Sequence, residues 1–143
     1  MTSLDPIFPR RRSPESARIL AALVAQVMAR TPRSQSRRWV LLIEPRLRLG
    51  SDIVVPDLAA WRRNEQDRPP EWVCDVVTGE GHASTTAYAR NGVRVAWRID
   101  PVECMVEVLA KRDCGWWSTS HSLTLRAEPF QSVELDLQSV WPR

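Results

Sequence analysis

The sequence predicts an α/β or α+β domain built on a mixed β-sheet. Helical and strand-like apolar periodicities alternate along the chain in the order helix, strands, helix, strands. A short helical stretch separates the apolar runs that begin at Trp72 and Val93, the spacing of a crossover that makes two strands parallel. A length of 143 residues suits one sheet with one or two helices packed on it. Residues 13–143 are therefore expected to form one domain, preceded by a flexible basic arm over residues 1–12.

Composition is that of an ordinary globular domain, with 43% hydrophobic and 26% charged residues. No apolar run approaches the roughly 20 residues of a membrane span. The N-terminus has no apolar secretory core, so a cytoplasmic protein is expected. The net charge is +3, and all of the basic residues except Lys111 are arginine. Arginine suits bidentate phosphate contacts, which makes a polyanion a candidate partner; biased codon usage would give the same excess. Cys74, Cys104 and Cys114 lack zinc or redox spacing; the first two read as small core residues and Cys114 as an exposed thiol.

The arm, Met1 to Arg12, holds two prolines and the run Arg10-Arg11-Arg12. Ser13-Pro14-Glu15 is a helix start, with a capping residue, proline at the first helical position and an acid in the first turn. Ile19, Leu20, Leu23, Val24, Val27 and Met28 then make one apolar stripe, which Pro32 ends near Arg30. Strands follow at Trp39 to Ile43 and, after Pro45, in the alternating Arg46 to Leu49. Gly50-Ser51-Asp52 turns the chain into Ile53 to Asp57 as a hairpin, and Trp61-Arg62-Arg63 is read as leaving the sheet. Trp72 to Val77 is the next strand. Ala83 to Asn91 is a short helix closed by Asn91-Gly92, and Val93 to Ile99 is a strand turned by Asp100-Pro101. Met105 to Leu109 and Trp116 to Thr119 form an antiparallel pair, and the segment from Pro129 to Trp141 docks on the body.

Chemistry concentrates between Ile53 and Glu80. Two β-prone runs there, Ile53-Val54-Val55 and Trp72-Val73-Cys74, are each followed by an aspartate, Asp57 and Asp75. A carboxylate at the margin of a core is costly unless a cation receives it. Two on neighbouring strands repel unless a metal or a shared proton intervenes. The residues alone allow a metal pair, or two aspartates each spent on its own local turn.

The pattern of Pro-Asp, a loop, and an apolar strand carrying a second acid resembles the PD-(D/E)xK nuclease signature. More broadly VVPDLAAWRR, EWVCDVV, YARNGVRVAWRIDP, MVEVLA and AEPFQSVELDLQSVW resemble, in order, the Uma-two-type restriction endonucleases, from about Trp39 to Trp141. The resemblance implies an α/β restriction-endonuclease-like core, with a central mixed β-sheet flanked by helices, and a magnesium-dependent DNA endonuclease, manganese being an alternative ion. It makes Asp57 and Asp75 the catalytic, metal-binding pair. Magnesium favours carboxylate and water oxygens, so two strand-end acids can share one ion.

The sequence departs from that pattern. Asp75 stands where the family typically has glutamate, and Val77 where the superfamily expects lysine. Ser84 occupies the helix position to which that lysine moves in relatives. The family's N-terminal hairpin, with its own acid, is also expected to be missing. Lys111 is placed on a distant hairpin. His82, beside Glu80, is a candidate base near neutral pH or a solvated residue at the helix start. Arg90 and Arg94 can meet phosphate charge but stay protonated. Glu44 is a third strand-end acid, either a further ligand or an exposed edge residue. Two functions follow: a metal-dependent phosphodiesterase acting on DNA, or a catalytically degenerate binding or assembly module on the same fold. Seven tryptophans, with Trp116 and Trp117 adjacent on one strand, place one indole outward, where it suits a homodimer contact or a stacking platform.

Overall fold

The computed structural model describes residues 13–77, 83–113 and 115–142. The arm at residues 1–12, Glu80, His82, the side chain of Ser84, and Cys114 lie outside the described residues.

Helix α1 (Pro14–Arg30) starts as its sequence dictates, with the Ser13 side chain accepting from the Ser16 amide at 3.1 Å. A four-residue helix, α2 (Arg33–Ser36), leads into β1 (Trp39–Ile43). Strands β2 (Leu47–Leu49) and β3 (Asp52–Val54) form the expected hairpin. Then come β4 (Leu58–Arg62), β5 (Trp72–Val76), α3 (Ala83–Arg90), β6 (Val95–Asp100), β7 (Met105–Arg112) and β8 (Gly115–His121). Two short strands, β9 (Thr124–Leu125) and β10 (Leu135–Asp136), and a 3-10 turn at Leu137–Ser139 complete the chain.

The central sheet has six strands in the order β1-β4-β5-β6-β7-β8. All its pairs are antiparallel except β5 with β6, which are parallel across the α3 crossover. Each face has its own core. On one face α1 and the C-terminal segment pack on Trp72, Cys74, Val95, Trp97 and Ile99. On the other, α3 and the β2–β3 hairpin pack on Ala59, Trp61, Val73 and Ala96. Arg90 and Asn91, at the end of α3, bind the Asp52 carboxylate at 2.7–3.1 Å and pin the hairpin to the helix. The Asn91 and Arg90 bonds hold that carboxyl below the ordinary aspartate range.

One element differs from the sequence reading. Trp61-Arg62, read from the sequence as leaving the sheet, instead ends an inner strand, Leu58–Arg62, with Leu58 to Trp61 all buried. Strand β3 ends at Val54, so Asp57 stands at the entrance to β4 rather than at the exit of the preceding strand. A strand covered on both faces has no polar alternation to reveal it, and Leu-Ala-Ala-Trp lacks β-branched residues. Cys74 is a buried core residue as expected, whereas Cys104 is half-buried in the turn between β6 and β7.

Candidate active site

Strands β4 and β5 run antiparallel with Leu58 opposite Cys74, so the next position along the same register sets Asp57 against Asp75. The side chains complete the ladder that the strands leave open there. The Asp57 amide donates to Asp75 Oδ1 at 2.9 Å, and the Val76 amide donates to Asp57 Oδ2 at 2.7 Å. Each carboxylate is thus held by the strand that carries the other. Asp57 is 8% exposed and Asp75 half-buried, so the two acids share one corner of the sheet on the α3 face.

Tyr88, in α3 and 2% exposed, donates its hydroxyl to Asp75 Oδ2 at 2.8 Å. Burial, and then the charge of Asp75, push the tyrosine pKa far above its ordinary value. The phenol therefore stays protonated at all working pH values and acts only as a donor. In the sequence this tyrosine is only one letter of the YARNGVRVAWRIDP stretch, and nothing there marks its bond to Asp75. That bond follows from the crossover, which lays α3 over the strand ends. If Asp75 holds a divalent ion, Tyr88→Phe should leave the fold intact while weakening that affinity about 10- to 100-fold, the usual cost of losing a bond that orients a ligand. Titration calorimetry with manganese would measure it, and unchanged affinity would show that Asp75 does not depend on the phenol.

Beyond the pair, the same level of the sheet carries further polar residues. The Glu44 amide donates to the Asp57 carbonyl at 3.0 Å, and Glu44 has a left-handed backbone, φ 51°, uncommon for glutamate. It does not complete a third metal ligand: no cluster of three or more histidine, cysteine or acidic side chains suited to a metal occurs among the described residues. On the other side Asp75 is level with Arg98 of β6, and Arg98 with Glu107 of β7. Arg98 Nη1 meets Glu107 Oε1 at 3.0 Å, and Ser118 donates to Glu107 Oε2 at 2.9 Å. Arg98 was not singled out in the sequence, because only the register brings it beside Asp75.

Among the described residues, Lys111, Arg90 and Arg94 are engaged away from the pair. The Val77 amide continues the β6 ladder, donating to the Ile99 carbonyl at 2.7 Å, and its apolar side chain lines a cleft of about 390 Å³. The Lys111 amide pairs with the Arg94 carbonyl, four residues before Arg98 on the same chain segment, or roughly 13 Å along the strand. Its ammonium donates to the Ala89 carbonyl at 3.2 Å. Arg90 is committed to Asp52, and Arg94 lines a separate cleft with Arg62 and Glu71.

A family model described as "Putative restriction endonuclease" matches residues 7–141. The chain belongs to this family, Uma2. The match extends well before Trp39 and takes in α1, so the first helix is part of the Uma2 domain. The crystal structure of "a putative nuclease belonging to DUF820" from Anabaena variabilis superposes with a TM-score of 0.71 at 15% identity, covering 91% of this chain and 82% of that one. It has the same fold. No curated protein matches the chain. Family and fold together support a nuclease-like function for this Uma2 chain. No helix among the described residues is long and apolar enough to cross a membrane.

Proposed function

We propose that this Uma2 protein is a magnesium-dependent DNA endonuclease whose Asp57 and Asp75 hold the ion, manganese serving as a substitute. The observation that carries the reading is the reciprocal bonding of the two aspartates across β4 and β5, which fixes both carboxylates at one corner. The donor set fits the ion. It is made only of carboxylate oxygen, the donor type that magnesium prefers. Two protein carboxylates are also the usual complement for magnesium, which keeps water or substrate oxygen at its other positions.

When bound, magnesium polarises a phosphoryl oxygen and lowers the pKa of its water. The chain's own residues do the rest. The amides of Asp57 and Val76 lock both carboxylates in place, so the site needs little reorganisation. Tyr88 fixes the orientation of Asp75 and, being protonated, withdraws no proton. The α3 crossover closes the corner from one side.

A second reading is favoured by Val77, which puts an apolar side chain where the lysine would stand: a binding or assembly module that keeps the acids without turnover. Plasmid nicking separates the two. Wild-type protein should nick supercoiled DNA with magnesium, stop with a chelator, and lose activity in Asp57→Ala. Nicking that Asp57→Ala retains in full would be foreign to this site, and metal-independent DNA binding without nicking would favour the module.

A further inference from the structure

We infer that Arg98 supplies the cationic contact to the DNA phosphodiester that the missing lysine would have made, as a charge and not as a base. The inference rests on the nuclease reading and adds to it a residue that stands on a different strand from the expected motif. Arg98 is level with Asp75 in the parallel β5–β6 pair, on the next strand and the same face, where neighbouring strands lie about 4.8 Å apart.

Its surroundings suit that role. Along β6 and β7 this face buries Ala96 and Leu109 in its core, with Asp100 and Lys111 towards its ends. An ion pair there is not needed for stability, since apolar residues of similar volume commonly serve as well or better. The Arg98 side chain is 18% exposed, mostly desolvated yet open to the cleft that Val77 lines. Glu107 anchors the guanidinium and is itself held by Ser118, so the cation is preorganised. A guanidinium carries five N–H donors in a fixed fork, so an anchored arginine can hold Glu107 and still meet a phosphate.

Two further acids line the cleft, Asp100 and Glu103. Asp100 directs Oδ1 to the Val102 and Glu103 amides of the following turn, at 3.0 and 3.1 Å. Glu103 is exposed, where salt screens it. Arginine does not deprotonate in proteins, so Arg98 cannot activate water. It can only balance charge on the phosphate.

The test is binding of a short DNA duplex over a series of salt concentrations, alongside nicking rates. Arg98→Met should make the slope of log affinity against log salt shallower by about 0.9, the loss of one phosphate contact. Nicking should fall about 10²-fold, with manganese affinity retained. Arg98→Lys should keep the wild-type slope and recover most of the rate. The double variant Arg98→Met/Glu107→Met, which leaves no unpaired acid, should still show the shallow slope and the slow rate. An Arg98→Met protein with wild-type slope overturns the inference, as does a double variant that nicks like wild type. So does wild-type protein that fails to bind the duplex. A wild type that shows the slope difference yet never nicks would retire the hydrolytic reading and leave the phosphate contact standing.

Discussion

Asp75→Asn should abolish metal-dependent nicking, by on the order of 10³-fold, while costing the fold no more than ~1 kcal/mol. The asymmetry comes from what Asp75 touches. It accepts from the Asp57 amide at 2.9 Å and the Tyr88 hydroxyl at 2.8 Å. An asparagine keeps the shape, an oxygen for the Asp57 amide and an NH2 group that can donate to the Tyr88 hydroxyl, so the packing of α3 over the corner survives. It removes the negative charge that a divalent ion needs. Asp75→Ala should be harsher on stability, because it strands the buried phenol and the Asp57 amide, each at roughly 1–3 kcal/mol. Urea unfolding run beside the nicking assay separates the two effects. An asparagine variant that unfolds early but nicks normally when folded would assign Asp75 to the scaffold instead.

Trp97→Ala should lower stability by about 3–5 kcal/mol, against a total of about 5–15 for a domain of this kind. Trp97 is 1% exposed and meets Trp72 edge-to-face at 5.2 Å and Phe130 at 5.9 Å. Its indole N–H donates to the Glu128 carbonyl at 2.9 Å. Truncation therefore opens a cavity in the larger core and leaves a carbonyl without that donor. Trp97 shares β6 with Arg98, one residue from the candidate site, but faces the opposite core. Trp97→Phe should keep most of the packing and lose about 1 kcal/mol for the hydrogen bond. Chemical denaturation reads both, and an alanine variant within 1 kcal/mol of wild type would mean the aromatic cluster is not where the fold is held.

Much of this was legible because local chemistry and tertiary role agree. Ser13-Pro14-Glu15 begins α1 where the capping pattern requires, and Asn91-Gly92 closes α3, Gly92 taking φ 84°. The parallel β5–β6 pair followed from the helix between the two runs. Adjacent tryptophans on one strand must face opposite ways, and Trp117 is 64% exposed while Trp116 packs on the core. The homodimer that such an indole could serve remains a proposal, and sedimentation would test it.

The rest was written in register, which no local pattern carries. Strand β4 is buried on both faces, so its small residues showed no periodicity, and Asp57 was attached to the wrong strand as a result. The two aspartates were legible as a pair, but not that each is gripped by the other's strand. Arg98 looked like one arginine among many until β5 and β6 were aligned.

The account turns on whether the two carboxylates hold a divalent ion together. Manganese binding followed by electron paramagnetic resonance measures that directly, without depending on turnover. One ion per chain should bind to wild-type protein and to Arg98→Met, and neither Asp57→Asn nor Asp75→Asn should retain it. Wild-type protein that leaves the free-manganese signal undiminished, or single asparagine variants that bind as tightly as wild type, would contradict the account.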